Sequence, residues 1–322
     1  MGDMTYRQLG ESGLTVSTVG VGCNNMGRRL DKDATRAVVD AALDVGITLF
    51  DTADIYGDPV GASEDLLGQA LQGRRDSVVL ATKFGMSMGG ATLPQHEARG
   101  SRRYIRASIE GSLRRLRTDY IDLYQLHEPD PRTPIDETLD ALEEIVREGK
   151  VRYIGSSQFS GWQIVDADWS ARTSGDTRFV SAQNQYSLLE RQAEAEVVPA
   201  CEHVGVGLLP FFPLANGLLT GKYRRGETPS SGRLSEPGKA AVYENANWDA
   251  VEGLRSFADE RGITLLDVAI GGLAAQPAVA SVIAGAMTPE QVRANARAGV
   301  WEPTADDLVR IDELSPPVRN GR

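Results

Sequence analysis

The chain has 322 residues, of which 41% are hydrophobic, a size that allows two ordinary domains or one α/β barrel. With 34 Lys and Arg against 45 Asp and Glu, its formal net charge is −11, which argues against nucleic acid or an anionic membrane as a partner. No apolar run approaches the roughly 18 residues of a membrane span. Residues 1–7 contain no apolar signal segment, and Gly2 lacks the Ser or Thr that a myristoylation site would need.

Cysteine and histidine are both rare. Cys23 and Cys201 could form at most one disulfide, which fits a reducing cytoplasm. With only three histidines in addition, the sequence shows no zinc-ligand spacing. We therefore expect a cytoplasmic protein without a metal site.

The predicted elements begin with a β-hairpin, in which a turn at 10–13 joins strands at 5–9 and 14–16. Strands and helices then alternate along the rest of the chain. The predicted strands are 19–22, 45–50, 77–82, 120–126, 150–155, 179–184, 206–210 and 279–284. The predicted helices are 33–44, 62–71, 101–116, 135–145, one from near 160, 193–203, 248–261, 265–275, 289–298 and 304–314.

Eight strand–helix units of similar length predict parallel strands with helices outside, closed into a single-domain (β/α)8 TIM barrel over residues 1–322. The alternative is an open doubly wound sheet. Residues 20–25 begin like a dinucleotide fingerprint, but the sixth position is Asn25 and not glycine, so the barrel is favoured. The polar, Gly/Pro-rich loop at 215–239 is a candidate lid or cofactor clasp.

Four reactive side chains follow three neighbouring predicted strands. Asp51 and Tyr56 follow the second strand, Lys83 the third and His127 the fourth. Taken singly, each has an ordinary structural explanation, such as a loop cap, packing or a solvated amine. Because adjacent strands lie about 5 Å apart and barrel chemistry occurs at the C-terminal mouth, we expect the four to converge.

The set also makes chemical sense. A free tyrosine titrates near pH 10, and an adjacent ammonium group lowers that pKa. We expect Asp51 to anchor Lys83, Lys83 to make Tyr56 more acidic, and Tyr56 to give a proton to an oxygen. His127 can donate a hydrogen bond to the same oxygen. This indicates a carbonyl becoming an alcohol, with the hydride supplied by nicotinamide.

Five ordered motifs resemble the signatures of the aldo-keto reductase superfamily, in its bacterial and potassium-channel β-subunit-like branch. They are Asp51-Thr52-Ala53-x-x-Tyr56-Gly57, Thr82-Lys83, Leu126-His127-x-Pro129-Asp130, residues 155–160 and residues 217–223. The resemblance covers nearly the whole chain. It implies a barrel with extra C-terminal helices, NADPH as cofactor, and Asp51, Tyr56, Lys83 and His127 as the catalytic residues.

The cofactor groove is predicted from this resemblance and from position at the mouth. Ser157, Gln158 and Gln183 suit the nicotinamide carboxamide, although the family usually has asparagine at Gln158. Phe211 stands where the family commonly stacks an aromatic ring on nicotinamide. Further expected cofactor contacts are Gly22, Cys23, Asp51, Leu214, Gly217, Lys222 and Gly285.

The segment after the eighth strand resembles the family's adenosine site. Thr288, Pro289 and Gln291 predict a capping box, and a capped helix start can also bind an anion. The resemblance places the 2′-phosphate here and the adenine near Gln291 and Asn295. Met287 is neutral where many family members are basic, so NADH remains possible.

The substrate pocket is expected to contain Asn24, Ile55, Tyr56, Phe84 and His127. No arginine occupies an obvious carboxylate-binding position, so the sequence predicts a small carbonyl or alcohol substrate without identifying it. The direction of reaction and the oligomeric state are left open. The alternative function is a cofactor-binding regulatory or redox-sensing module with little turnover. A metal-dependent barrel hydrolase is disfavoured, because the sequence has no ligand cluster.

Overall fold

The computed structural model describes residues 4–318. The expectations for Gly2 and the first three positions lie outside these residues. The described strands are β1 (Tyr6–Gln8), β2 (Thr15–Ser17), β3 (Val19–Gly22), β4 (Leu49–Asp51), β5 (Val79–Phe84), β6 (Ile121–Leu126), β7 (Val151–Ser157), β8 (Phe179–Gln183), β9 (Gly207–Leu208) and β10 (Val282–Gly285). The helices are α1 (Lys32–Asp44), α2 (Ala62–Ala70), α3 (Arg102–Leu116), α4 (Ile135–Arg147), α5 (Gly161–Ser174), α6 (Ala193–Val204), α7 (Ala240–Glu244), α8 (Trp248–Glu260), α9 (Leu265–Ala274), α10 (Pro289–Ala298) and α11 (Ala305–Leu314).

Strands β3 to β10 form one parallel sheet in the order β10-β3-β4-β5-β6-β7-β8-β9. The sheet closes on itself, because Leu208 of β9 donates from its N–H to Ala278 O at 2.7 Å and accepts from Ala280 N at 3.0 Å. The predicted (β/α)8 barrel is thereby confirmed, and closure excludes the open doubly wound sheet. The predicted N-terminal hairpin is confirmed by the antiparallel pairing of β1 with β2.

Side chains alternate across the barrel wall, as the two-residue period of a strand requires. In β4, Phe50 packs outward against the helices, whereas Leu49 belongs to the apolar cluster inside the barrel. That inner cluster also contains Ala81, Leu123 and Leu209, and it meets Leu9 and Val16 of the hairpin region. The hairpin therefore closes the N-terminal end of the barrel, leaving the opposite mouth for chemistry.

One glycine permits this closure. Gly10 has φ of +58°, and a Cβ there would lie 2.5 Å from the carbonyl oxygen of Gly205. The adjacent Glu11 N–H donates to the same Gly205 oxygen at 2.8 Å. A side chain at position 10 would thus push the hairpin off the barrel.

The helix predictions are mostly confirmed, with small shifts at the ends. Ser101 caps α3 by accepting from Tyr104 N, and the apolar stripes of α3 and α4 face the barrel. The predicted strand 206–210 is longer than the observed β9, although pairing continues past the end of β9: Leu209 N donates to Ala182 O at 2.8 Å, and Ile283 N donates to Pro210 O at 3.1 Å. The predicted loop 215–239 contains two 3-10 turns, at Ala215–Thr220 and Arg233–Ser235, and α7 was not predicted. Across residues 4–318, no helix is both long and apolar enough to cross a membrane.

Candidate active site

A buried ion pair lies at the centre of the mouth. Lys83 Nζ donates to Asp51 Oδ2 at 2.6 Å and to the Thr52 carbonyl oxygen at 2.8 Å, and its side chain is completely buried. Burial alone would lower the pKa of Lys83, but attraction by Asp51 and Tyr56 and the hydrogen bond to Asp51 raise it overall. Lys83 is therefore an ammonium group held in one position.

The other oxygen of Asp51 is bound by two amides. Gln183 Nε2 donates to Asp51 Oδ1 at 2.9 Å, and Gln125 Nε2 donates to the same atom at 3.2 Å. Gln183 was predicted to bind nicotinamide, but its amide nitrogen is engaged inside the barrel. Gln125 was missed by sequence analysis. Its signal is register: Gln125 pairs directly with Lys83 across β5 and β6, so both point inward.

Tyr56 lies on the loop after β4, with its ring centroid 5.2 Å from Lys83 Nζ. The Tyr56 carbonyl oxygen accepts from Gly61 N and Ser63 N, each at 3.1 Å, which ties the loop to the start of α2. Burial raises the pKa of Tyr56 above its ordinary value, and the charge of Lys83 only partly offsets this. The expectation of a net lowered pKa is wrong, because desolvation of the phenolate outweighs the ammonium.

His127 packs edge-on against Tyr56, with ring centroids 5.7 Å apart and an interplanar angle of 82°. Burial and the charge of Lys83 lower the pKa of His127 to about 3. The imidazole is therefore neutral at physiological pH, and one ring nitrogen can donate a hydrogen bond. Its Nδ1 is buried and has no protein partner.

The predicted nicotinamide region lies beside these groups. Gln158 adopts φ of +59° and donates from Nε2 to the His127 carbonyl oxygen at 3.0 Å. Phe211 and Phe212 form an edge-to-face pair with ring centroids 5.3 Å apart. Cys23, a predicted cofactor contact, is fully buried, and its backbone is engaged within the protein: its N–H donates to Asp51 O at 2.8 Å and its carbonyl oxygen accepts from Met26 N at 3.0 Å. Burial raises the pKa of the Cys23 thiol, and both cysteines are free.

The start of α10 differs from the predicted capping box. Thr288 caps the helix by accepting from Gln291 N at 3.3 Å, with Pro289 in the first turn. The Gln291 side chain does not return to Thr288: its Oε1 accepts from Met287 N at 2.7 Å. Asn295 is also engaged locally, donating from Nδ2 to Gly285 O at 3.4 Å. The predicted capping box is therefore wrong in its second hydrogen bond: the Gln291 side chain accepts from the N–H of Met287 and not from that of Thr288.

Arg233, which sequence analysis did not select, lies in the loop after β9. Its guanidinium stacks over Phe212 at 5.1 Å, and its Nε is buried without a partner. Burial and the nearby charges of Arg29 and Arg28 lower the pKa of Arg233. Lys222 lies in the same loop, with its Nζ 5.0 Å from the Tyr223 ring centroid.

These features fit a dinucleotide. A buried donor without a partner among crowded cations would be satisfied by an anion such as a phosphate. Asn184 Oδ1 is also buried without a partner and could accept a hydrogen bond from a ligand. It lies near Gln158, because the Gln158 N–H donates to the carbonyl oxygen of Gln183, the residue before Asn184. Over residues 4–318, no group of three or more metal-binding side chains is arranged to hold a metal ion.

One predicted pocket residue is wrong. Phe84 is fully buried and stacks on Tyr124, with centroids 4.7 Å apart, in the layer between barrel and helices. The reason is alternation in β5: because Lys83 points inward, the next side chain must point outward. Asn24 and Ile55 are half-buried on the loops beside Tyr56, where they remain predicted pocket residues.

A closed parallel barrel with a phenol, an imidazole and a buried ammonium–carboxylate pair at its mouth is typical of enzymes that move a proton to or from a substrate oxygen. The sequence model of the aldo/keto reductase family matches residues 18–316. The chain therefore belongs to the aldo/keto reductase family, as its motifs predicted. This membership makes it an oxidoreductase and indicates carbonyl reduction in general.

Three relatives match over most of their length. The chain is 40% identical to the uncharacterized oxidoreductase YrpG of Bacillus subtilis, over 97% of this chain and 96% of the relative. It is 36% identical to a probable voltage-gated potassium channel subunit beta of Arabidopsis thaliana, over 98% and 97%. It is 32% identical to the L-glyceraldehyde 3-phosphate reductase of Escherichia coli K12, over 92% and 88%.

Proposed function

We propose that the protein is a cytoplasmic, NADPH-dependent reductase of small aldehydes or ketones, in which Tyr56 gives the proton to the carbonyl oxygen. The observation that carries the proposal is the placement of Tyr56 against both Lys83 and His127 at the open mouth. NADH is the alternative cofactor, since Met287 brings no charge to the predicted 2′-phosphate position.

The bound nicotinamide would supply the hydride. Each protein group then has a separate task. An ordinary tyrosine is already protonated at neutral pH, and burial raises the pKa of Tyr56 further, so Tyr56 carries the proton that it would donate. The Lys83 ammonium stabilises the phenolate that remains after proton transfer. The neutral His127 imidazole orients the carbonyl oxygen, and Asp51 with its two glutamines keeps Lys83 in place.

The cofactor is proposed to lie between Gln158, Phe211 and the loop after β9. Arg233 and Lys222 would bind its phosphates, and the segment from Gly285 to Asn295 its adenosine. The remaining predicted contacts are Gly22, Ser157, Leu214 and Gly217. Supporting this placement, Arg233 Nε is a buried donor that no protein group satisfies.

The test is reduction of 4-nitrobenzaldehyde with NADPH and NADH, comparing the wild type with Tyr56→Phe. Loss of the phenol should lower kcat by about 100-fold or more, the usual contribution of a general acid. The affinity for NADPH, measured by quenching of its fluorescence, should stay within about twofold because the phenyl ring remains. Full turnover by Tyr56→Phe would disprove the assigned proton donor.

The second candidate is a regulatory module that binds the cofactor and turns over little, which the similarity to a named potassium channel subunit beta favours. It predicts tight NADPH binding with negligible reduction across a panel of aldehydes, ketones, sugars and quinones. Rapid turnover of any of these by the wild type, abolished in Tyr56→Phe, would decide for the enzyme.

A further inference from the structure

Helix α5 carries its largest apolar side chains on the side that faces away from the barrel. Trp162 is 65% exposed and Trp169 is 70% exposed, and Val165 between them is 36% exposed. Their spacing of three and then four residues places the three side chains in one line along the helix. We call these three side chains the tryptophan stripe.

The packing of α5 on the barrel does not use this stripe. The inner side of the helix is formed by smaller residues, since Ile164, Ala167 and Ala171 are at most 3% exposed. The neighbouring helix α4 has the usual arrangement, with charged residues such as Asp136 and Asp140 exposed to water. Apolar side chains that lie together on the surface of a soluble protein indicate an interaction site.

Carboxylates of α6 lie along one side of the stripe. Gly161, directly before Trp162, lies against α6, where a Cβ on Gly161 would be 2.6 Å from the carbonyl oxygen of Glu196. Glu196 is exposed, and so is Glu202 further along α6. Because α5 and α6 both follow parallel strands, they run in the same direction, and Glu202 comes near the level of Trp169.

The other charges nearby leave this border negative. Asp166 is exposed on α5 itself, at the edge of the stripe. The two arginines that follow it, Arg172 and Arg178, both bind the buried carboxylate of Asp168, at 2.7 and 2.5 Å. A second copy of the chain packed face to face would bring two negative borders together, and each copy has a net charge of −11. An anionic membrane is disfavoured for the same reason.

We propose that the tryptophan stripe is the docking surface for a basic amphipathic helix of another protein. The apolar face of that helix, with residues at the same spacings of three and four, would pack against Trp162, Val165 and Trp169. Its lysines or arginines would pair with Glu196 and Asp166 and stack on the indole rings. The proposal does not depend on the proposed reductase activity.

The probe is a synthetic 18-residue helix, labelled with fluorescein, that has leucines along one face and lysines on the other. Its Kd for the wild type, from fluorescence anisotropy, is compared with that for Trp162→Ser and for Trp169→Ser. Each substitution should weaken binding about tenfold or more, because tryptophans at an interface contribute strongly to affinity. Since both side chains are exposed, the urea midpoint of unfolding should stay unchanged.

Val309→Ser is the matched control, because Val309 is 59% exposed on α11, outside the stripe. It should bind the lysine peptide as the wild type does. The charge contribution is measured with Glu196→Gln, which should weaken binding about two- to fivefold. A peptide with glutamates in place of the lysines should bind at least about tenfold more weakly than the lysine peptide.

The proposal is overturned if the wild type does not bind the lysine peptide, if the Trp162→Ser, Trp169→Ser double variant binds it equally well, or if the glutamate peptide binds as tightly. Sedimentation velocity without peptide tests the other occupant. A wild-type dimer that the double variant loses would show that a second copy covers the stripe, which would also overturn the proposal. Binding to phosphatidylcholine vesicles that is lost in the double variant would assign the stripe to a lipid surface instead.

Discussion

At the scale of single residues, burial and neighbouring charges determine which groups of the site carry a proton. Tyr56 stays protonated, His127 stays neutral and Lys83 stays charged, because nearby charges either reinforce or oppose the effect of burial on each pKa. The proposed acid, Tyr56, and the proposed orienting donor, His127, are thus in the protonation states that their roles in carbonyl reduction require.

The depressed pKa of His127 predicts a specific pH dependence of stability. In the unfolded chain histidine gains a proton below pH 6.5, whereas in the folded protein it does so only near 3, so stability falls as pH drops through this window. At pH 5 this term should cost the wild type about 2 kcal/mol relative to His127→Gln. Urea denaturation of both proteins at pH 7.5 and pH 5 measures it. An equal loss in the two proteins would contradict a buried, neutral His127.

The four reactive side chains were predictable from sequence because each belongs to a short motif at the end of a predicted strand. Asp51, Lys83 and His127 stand directly after predicted strands and Tyr56 lies five residues beyond Asp51, so their approach followed from the barrel. The sign of the Tyr56 pKa shift did not, because it compares a desolvation cost with one attraction, and the sequence shows neither burial nor distance.

At the scale of elements, the loop after β9 was the least well predicted part of the chain. Its Arg233 meets Phe212 although 21 positions separate them, and Phe212 itself adopts φ of +55°. No local periodicity indicates such a contact, because the loop folds back over the mouth through irregular turns.

The buried, unpartnered Nε of Arg233 identifies this residue as the loop cation that we expect to bind the cofactor. Arg233→Ala should raise the Kd for NADPH roughly tenfold or more, the usual loss for one charged hydrogen bond. Arg224→Ala is the control, since Arg224 lies in the same loop but its Nη1 donates to the Gly221 and Tyr223 carbonyl oxygens. Fluorescence titration measures both variants. Equal effects in the two would indicate general electrostatic attraction and not a built contact.

The strand elements show what alternation can and cannot predict. The two-residue period points Lys83 and Gln125 inward together, so the register of β5 and β6 is sufficient to predict Gln125 beside Lys83. The same period sends Phe84 outward, which corrects its predicted place in the substrate pocket.

At the scale of the whole molecule, the barrel has one closed and one open end. Leu9 and Val16 are fully buried against the lowest inner layer, so the hairpin is part of the core. The four groups proposed as catalytic lie at the other end of the same strands, so the hairpin packing and the proposed site occupy separate layers of the barrel.

This division predicts a destabilised but chemically intact variant. Leu9→Ala should lower the free energy of unfolding by about 2–5 kcal/mol, because it leaves a cavity in the closed end. Turnover per folded molecule should change little. Val309→Ala on α11, where the side chain is 59% exposed, is the control and should cost less than about 0.5 kcal/mol. If the two variants were equally stable, the hairpin would not be part of the core.

The sequence by itself determined the barrel, the order of its elements and the four reactive side chains at one mouth, because strand period, helix period and strand-end position are local properties of the chain. Only the tertiary structure decided which amides hold Asp51, that Phe84 packs outward and that Arg233 stacks over Phe212. These depend on distances between segments far apart in sequence, and on water excluded by their packing, neither of which a local pattern records.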